Sequence, residues 1–60
     1  MNNSLPNDPM MLLSFVNLKL RDYYKSLDMM CEDMGVDTQM IIDKLSAIDY
    51  EYDPQLNKFV

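Results

Sequence analysis

A single cysteine, Cys31, and the absence of histidine constrain how this chain can reach a stable fold. A domain of 60 residues buries only about 60% of the surface that its unfolded chain exposes, so it needs a further source of stability. A lone cysteine forms no disulfide within the chain, and a tetrahedral zinc site needs more cysteine or histidine ligands than are present. Oligomerisation is the source that remains, and we expect a homodimer.

The charge balance narrows the range of partners. Ten acidic residues against five basic ones give a net charge of −5, which repels phosphate backbones and anionic lipid headgroups. We therefore expect neither nucleic acid nor a membrane as a partner. The first residues lack the basic and then apolar order of a signal peptide, and a lone thiol fits a reducing compartment, so we expect a cytoplasmic protein.

Local signals predict a mainly α-helical fold with a C-terminal β-hairpin. Residues 1–7 are polar and without a period, which indicates a flexible N-terminal arm ahead of a single domain over residues 8–60. Asp8 is a good N-cap and Pro9 suits the first helical position, so a long first helix should run from Pro9 to about Lys25.

The first helix is apolar over most of its circumference. One set of residues recurs at spacings of three and four and predicts a core-facing stripe, namely Leu13, Val16, Leu20, Tyr23, Tyr24 and Leu27. A second apolar set lies largely off that stripe: Met10, Met11, Leu12, Phe15 and Leu18. Since two further short helices cannot cover such a helix alone, we predict that the second set is a self-association surface.

Two short helices follow, joined by a glycine turn. Ser26 is the predicted N-cap of the first, Leu27 to Met34, and Gly35 its left-handed stop. Asp37 should cap the second, Thr38 to about Ile48. The pair predicts a helix-turn-helix, the scaffold of many DNA-reading proteins. Its last helix is poor in basic side chains, so DNA association is the alternative function and not the leading one.

The tail changes period. Aromatic and acidic residues alternate from Asp49 to Asp53, which is typical of a strand with one solvated face. A turn through Pro54 to Asn57, with Asn57 in a left-handed conformation, would set Asp53 opposite Lys58 and Tyr52 opposite Phe59. Tyr50, Tyr52 and Phe59 would then share one face and anchor the hairpin on the helices.

Catalytic and cofactor chemistry find no support in the residue pattern. Cys31 is followed by Glu32 and Asp33, which disfavour a reactive thiolate. One glycine in the whole chain excludes a glycine-rich phosphate loop. We therefore predict a protein without enzymatic activity, cofactor or metal. The methionines leave two interpretations open, core filler or an adaptable peptide-binding groove: Met10, Met11, Met29, Met30, Met34 and Met40.

Short motifs along nearly the whole chain resemble one family of bacterial proteins. They are PNDP at 6–9, MLLSFVN at 11–17, KLRD at 19–22, LD at 27–28, CED at 31–33 and YEYD at 50–53, followed by Asn57 and Phe59. The family is domain of unknown function 4250. The resemblance implies a bacterial, cytoplasmic protein and brings no activity with it. It also implies glycine before the first tyrosine of YEYD, where this chain has Asp49.

Polar residues within the apolar first helix suggest an interface. Asn17 and Arg21 lie one turn apart. They are either part of a solvated strip or a pair that bonds across a helix–helix contact, where buried polar groups need partners. We favour the interface. The sequence thus predicts a protein-interaction or structural module that self-associates through its first helix, with a further protein partner left open.

Overall fold

The computed structural model describes residues 5–60, over which the chain forms three helices and one two-stranded hairpin. The elements are α1 Pro9–Asp22, α2 Leu27–Met34, α3 Thr38–Ser46, β1 Tyr52–Asp53 and β2 Lys58–Phe59. This confirms the mainly α fold with a C-terminal hairpin. Residues 1–4 of the predicted arm lie outside the described residues, whereas Leu5 packs against the core.

Helix α1 begins at the predicted residue, Pro9, and ends earlier than the predicted end near Lys25. The Asp8 carboxylate accepts a hydrogen bond from the Met11 amide at 3.1 Å, and Pro9 takes the first helical position. The helix stops at Asp22, and Tyr23 has left the helical conformation with φ −127°. Tyr23 therefore turns away from the core, 70% exposed, and its prediction as a core residue was wrong.

The glycine turn between α2 and α3 has the predicted geometry. Ser26 caps α2 through the Met29 amide, and Gly35 adopts the left-handed conformation with φ 69°. The Val36 amide reaches the Cys31 carbonyl at 3.0 Å, the bond that closes a Schellman motif. Asp37 then caps α3 by accepting from the Gln39 amide. These caps fix the angle between the two helices.

Helix α3 ends in a second turn of the same kind, but without a glycine. The Tyr50 amide donates to the Leu45 carbonyl at 3.0 Å and the Asp49 amide to that of Ser46 at 2.9 Å. Asp49 takes the left-handed position with φ 67°. A side chain with a Cβ is disfavoured there, which gives a physical reason for the glycine that the family resemblance implies.

We expect Asp49→Gly to stabilise the domain by about 0.5–1 kcal/mol, because glycine removes the left-handed strain. For a domain of this size the melting temperature should rise by roughly 2–8 °C, as followed by circular dichroism. Asp49→Ala is the control, since it removes the same negative charge and keeps the strain. If alanine stabilised as much as glycine, charge and not backbone conformation would be the cause.

The hairpin has the predicted register. Tyr52 pairs with Phe59 and Asp53 with Lys58, and Glu51 and Val60 exchange both backbone hydrogen bonds at 2.9 Å. Asn57 is left-handed as expected, with φ 54°. The Asp53 carboxylate, however, accepts from the Gln55 and Leu56 amides of the turn. The Asp53 side chain therefore stabilises the turn and forms no ion pair with the Lys58 side chain opposite it.

The core closes within one chain. Its buried side chains come from all three helices and from β2: Leu12, Leu13, Val16, Leu20, Leu27, Met30, Cys31, Ile41, Leu45 and Phe59. Helix α1 packs on α3 and on β2, so its buried face is wider than a single stripe. The hairpin supplies the cover that the two short helices alone could not.

Candidate protein-binding surface

Four of the five residues predicted for self-association remain accessible, and one does not. Leu12 is 0% exposed and belongs to the core of its own chain, so its place on the predicted surface was wrong. Met11 and Leu18 lie on the side of α1 that faces away from the core, and Phe15, four and three residues from them, lies beside them and packs partly against the core. We call these three residues the outer stripe. Met10 is also exposed, about a quarter turn away.

The outer stripe is apolar and only partly covered. Met11 is 62% exposed and Leu18 46% exposed, while Phe15 between them is half-buried. The Lys19 ammonium lies over the Phe15 ring, 5.5 Å from its centroid, and over the Tyr23 ring at 4.9 Å. Cation–π contacts of this kind hold the lysine along one edge of the stripe. The other edge is open to solvent.

Asn17 and Arg21, the predicted polar pair, have separate partners within the chain. The Asn17 amide donates to the Phe59 carbonyl at 3.1 Å, and its oxygen accepts from the Phe59 N–H at 2.8 Å. Asn17 thus completes the pairing of β2 as a neighbouring strand would. Arg21 is exposed and forms an ion pair with Asp22 at 3.0 Å, which lowers the pKa of that carboxyl. Asn17 is thus used within its own chain, and a role for the exposed Arg21 in an interface stays a prediction.

A second amide joins the hairpin to the helices. The Asn57 amide donates to the Leu20 and Tyr24 carbonyls, both at 3.0 Å, at the end of α1. Its oxygen accepts from the Tyr52 hydroxyl at 2.6 Å, and that hydroxyl accepts from the Leu27 amide at the start of α2. We call this network the Asn57 clasp. It ties two helix ends to the hairpin turn.

The three residues predicted to anchor the hairpin all contact the core. Phe59 is buried, and Tyr50 and Tyr52 are half-buried against the core cluster. The Tyr52 and Phe59 ring centroids are 5.5 Å apart, and the rings are tilted by 54°. Such tilted aromatic pairs add to the energy of burial. The hairpin is therefore held by ring packing as well as by Asn17 and Asn57.

An open groove of about 910 Å³ runs between α1 and the hairpin turn. Its lining combines apolar, basic and amide side chains, among them Leu13, Leu18, Arg21, Leu56, Asn57 and Lys58. We refer to it as the α1–turn groove. Sequence reasoning missed it, although one signal was available. Leu56 stands in a turn whose other residues are polar or proline, and it is 59% exposed.

The six methionines within residues 5–60 do not form one surface. Met30 is fully buried, Met34 and Met40 are half-buried against the core, and Met10, Met11 and Met29 are exposed. Met29 belongs to α2, whereas Met10 and Met11 lie at the start of α1. The structure therefore gives no single methionine-lined groove. Part of the set is core filler, and Met11 contributes to the outer stripe.

The solvent side of α3 offers little to a nucleic acid. The Gln39 amide, a side-chain type that can read bases, donates instead to the Asp43 carboxylate at 2.9 Å. A carboxylate at this place repels phosphate. The helix-turn-helix arrangement is present, but these contacts do not favour its use on DNA.

Side chains that could carry chemistry have structural contacts in the part of the chain that the structure describes. Over residues 5–60, three or more acidic, histidine or cysteine side chains never gather as metal ligands would. The Tyr24 hydroxyl donates to the Asp33 carboxylate at 2.6 Å, and this bond raises the pKa of the phenol because ionisation would lose it. Cys31 is buried in the core. These groups have structural explanations.

Comparison with known proteins gives one match. The family model described as Domain of unknown function (DUF4250) matches residues 6–59. No curated protein and no solved structure matches the chain. Within residues 5–60, none of the helices has the length and apolarity to cross a membrane.

Proposed function

We propose that this chain, which belongs to the DUF4250 family, is a cytoplasmic protein-interaction module that self-associates through the outer stripe of α1. One observation carries the proposal: Met11 and Leu18 are 62% and 46% exposed on one face of a helix whose opposite face is buried. Burying such side chains in a contact is favourable by about 25 cal/mol for each Å² of apolar surface. We propose no catalytic role.

The size of the stripe limits the strength of the contact. Helix α1 has 14 residues, so it is about 21 Å long. Two such helices packed side by side give an interface near the lower end of specific contacts, below about 1,200 Å² in total. Because each chain also closes its own core, the monomer should fold by itself. Association should therefore be reversible and depend on concentration.

We expect light scattering after size exclusion to give a mass that rises with protein concentration from 7.1 kDa toward twice that value. Met11→Gln with Leu18→Gln should hold the mass at one chain, because it makes the stripe polar without entering the core. Met29→Gln with Val60→Gln is the matched control, since these side chains are 51% and 50% exposed away from the stripe. The control should associate like the unaltered protein.

Two results would contradict the proposal. One is the mass of a single chain at every concentration up to roughly 1 mM. Any self-association would then be weaker than even low-affinity specific contacts. The other is equal association of the stripe variant and its control. A gel shift of generic duplex DNA at low salt would instead favour the DNA-associated alternative, since non-specific binding is strongest there.

A further inference from the structure

The α1–turn groove differs in charge from the rest of the domain. Arg21 and Lys58, two of the five basic residues, line it, and of the ten acidic residues, all within residues 5–60, none does. We propose that this groove binds a short acidic amphipathic segment of a partner protein, with its apolar side chains between Leu18 and Leu56 and its carboxylates on Arg21 and Lys58.

The apolar part of the site has an exposed leucine on each side. Leu18 is 46% exposed on the helix and Leu56 59% exposed on the turn, and the buried Leu13 of α1 also lines the groove. The turn is stabilised by Asp53 and by Asn57 and does not need a leucine at position 56. Leu56 lines the same groove as Leu18 and Leu13, and an apolar patch made by several residues, rimmed by polar ones, is typical of a contact site.

The positive part of the site follows from the hairpin geometry. Asp53 faces Lys58 across the strands, but its carboxylate accepts hydrogen bonds from the Gln55 and Leu56 amides. The Lys58 ammonium is therefore available to a carboxylate from outside. Arg21 binds Asp22 through Nε and one terminal nitrogen. Its guanidinium keeps further N–H donors for a second carboxylate.

The walls of the groove are rigid, which lowers the cost of binding. Asn17 fixes β2 to α1 and Asn57 fixes the turn to the end of α1, and both line the groove. A preformed site loses little conformational freedom when it is occupied. The groove is open along its length, and its volume of about 910 Å³ suits a few residues of a peptide. The net charge of −5 disfavours acidic segments on the domain as a whole, whereas the lining of the groove is basic.

Two probes separate the groove from the overall charge. We expect the capped hexapeptide Glu-Glu-Leu-Leu-Glu-Glu, titrated into ¹⁵N-labelled protein, to shift the amide resonances of Leu18, Leu56 and Lys58. The mirror probe Lys-Lys-Leu-Leu-Lys-Lys should not shift them, although net charge alone would favour it. Shifts from the basic probe at the same residues, or none from the acidic probe, would overturn the proposal.

Variants test the named contacts. Lys58→Glu should weaken binding of the acidic probe roughly fivefold or more, because attraction becomes repulsion at an exposed site. Leu56→Ser should weaken it by a similar factor, roughly fivefold, through lost apolar contact. Lys25→Glu, the same charge change away from the groove, should leave the affinity within twofold of the unaltered protein after allowance for net charge. Equal effects of Lys58→Glu and Lys25→Glu would overturn the assignment.

The groove shares Leu18 with the outer stripe, so it is tested through residues that the stripe does not contain. Lys58 and Leu56 do not belong to the outer stripe, so their variants should retain the concentration-dependent mass of the unaltered protein. Circular dichroism melting of each variant shows whether it folds. If the acidic probe does not bind, the proposal of self-association is unaffected. If the chain does not self-associate, the peptide titration can still be interpreted on the monomer.

Discussion

We expect Phe59→Ala to leave most of the protein unfolded at room temperature. Phe59 is 2% exposed and is the largest fully buried side chain of the core. Truncating a buried phenylalanine costs about 3–5 kcal/mol. A single core in a chain below about 70 residues rarely supplies more than 3–5 kcal/mol in total. The loss is thus comparable to the whole stability, and far-ultraviolet circular dichroism should show reduced helicity and no cooperative melting transition.

Two variants set the scale for this result. Phe59→Leu keeps most of the apolar volume and should lower stability by about 1–2 kcal/mol. Leu56→Ala alters an exposed side chain of the same hairpin and should change stability by no more than about 0.5 kcal/mol. If Phe59→Ala melted cooperatively near the temperature of the unaltered protein, the hairpin would not be part of the cooperative unit.

The elements that the sequence predicted correctly are those determined by neighbouring residues. The three N-caps, the Gly35 stop and the register of the hairpin each depend on side chains within a few positions of the backbone they affect. Such short-range hydrogen bonds and φ preferences act regardless of the rest of the fold. The same argument placed Asn57 in its left-handed conformation.

The errors on α1 arise from packing that neighbouring residues do not determine. A helix that is apolar all round does not reveal which side will be buried, and α1 turned out to pack on both α3 and β2. Leu12 consequently joined the core. Tyr23 is outside the core because α1 ends at Asp22, one residue before it. The helical period does not predict the direction of a side chain beyond the end of the helix. Met11 and Leu18 stayed exposed because they lie on the side of α1 opposite these contacts.

The long-range amides could not be predicted. Asn17 binds a backbone 42 residues away, and Asn57 binds carbonyls 37 and 33 residues away. Nothing near either asparagine in the sequence specifies such partners, because the bonds exist only after the hairpin has packed on α1. Both asparagines are among the residues that carry the family resemblance, as are Tyr52 and Phe59. Much of that resemblance therefore describes how the hairpin is held, and it leaves the α1–turn groove undetected.

We expect Asn57→Ala to lower the free energy of unfolding by about 2–4 kcal/mol, the second largest effect of a single substitution considered for this chain. The change removes two donors and one acceptor of the Asn57 clasp. The Tyr24 backbone N–H donates to the Lys19 carbonyl and so does not donate to the Leu20 carbonyl, its usual helical partner. The Leu20 carbonyl at the end of α1 accepts from the Asn57 amide instead. Alanine is also sterically disfavoured at a φ near 54°. Urea denaturation followed by circular dichroism measures the difference.

Companion variants separate the backbone from the side chain. Asn57→Gly loses the same hydrogen bonds but accepts the left-handed conformation, so it should be about 1 kcal/mol less harmful than alanine. Asn57→Asp keeps the acceptor for Tyr52 and tolerates the conformation, yet it sets a carboxylate against two carbonyls and should destabilise as much as alanine. If aspartate were harmless, the bonds to Leu20 and Tyr24 would contribute nothing and only the turn would matter.

Tyr52→Phe completes the test, because it removes the hydroxyl that joins Asn57 to the start of α2. Residues of one hydrogen-bonded network are not additive, so the double variant with Asn57→Ala should cost less than the sum of the single changes, by about 0.5–3 kcal/mol. Additive effects would mean that the two side chains act separately. Coupling would show that a single network joins the end of α1, the start of α2 and the turn, and so holds the Leu56 side of the groove in position.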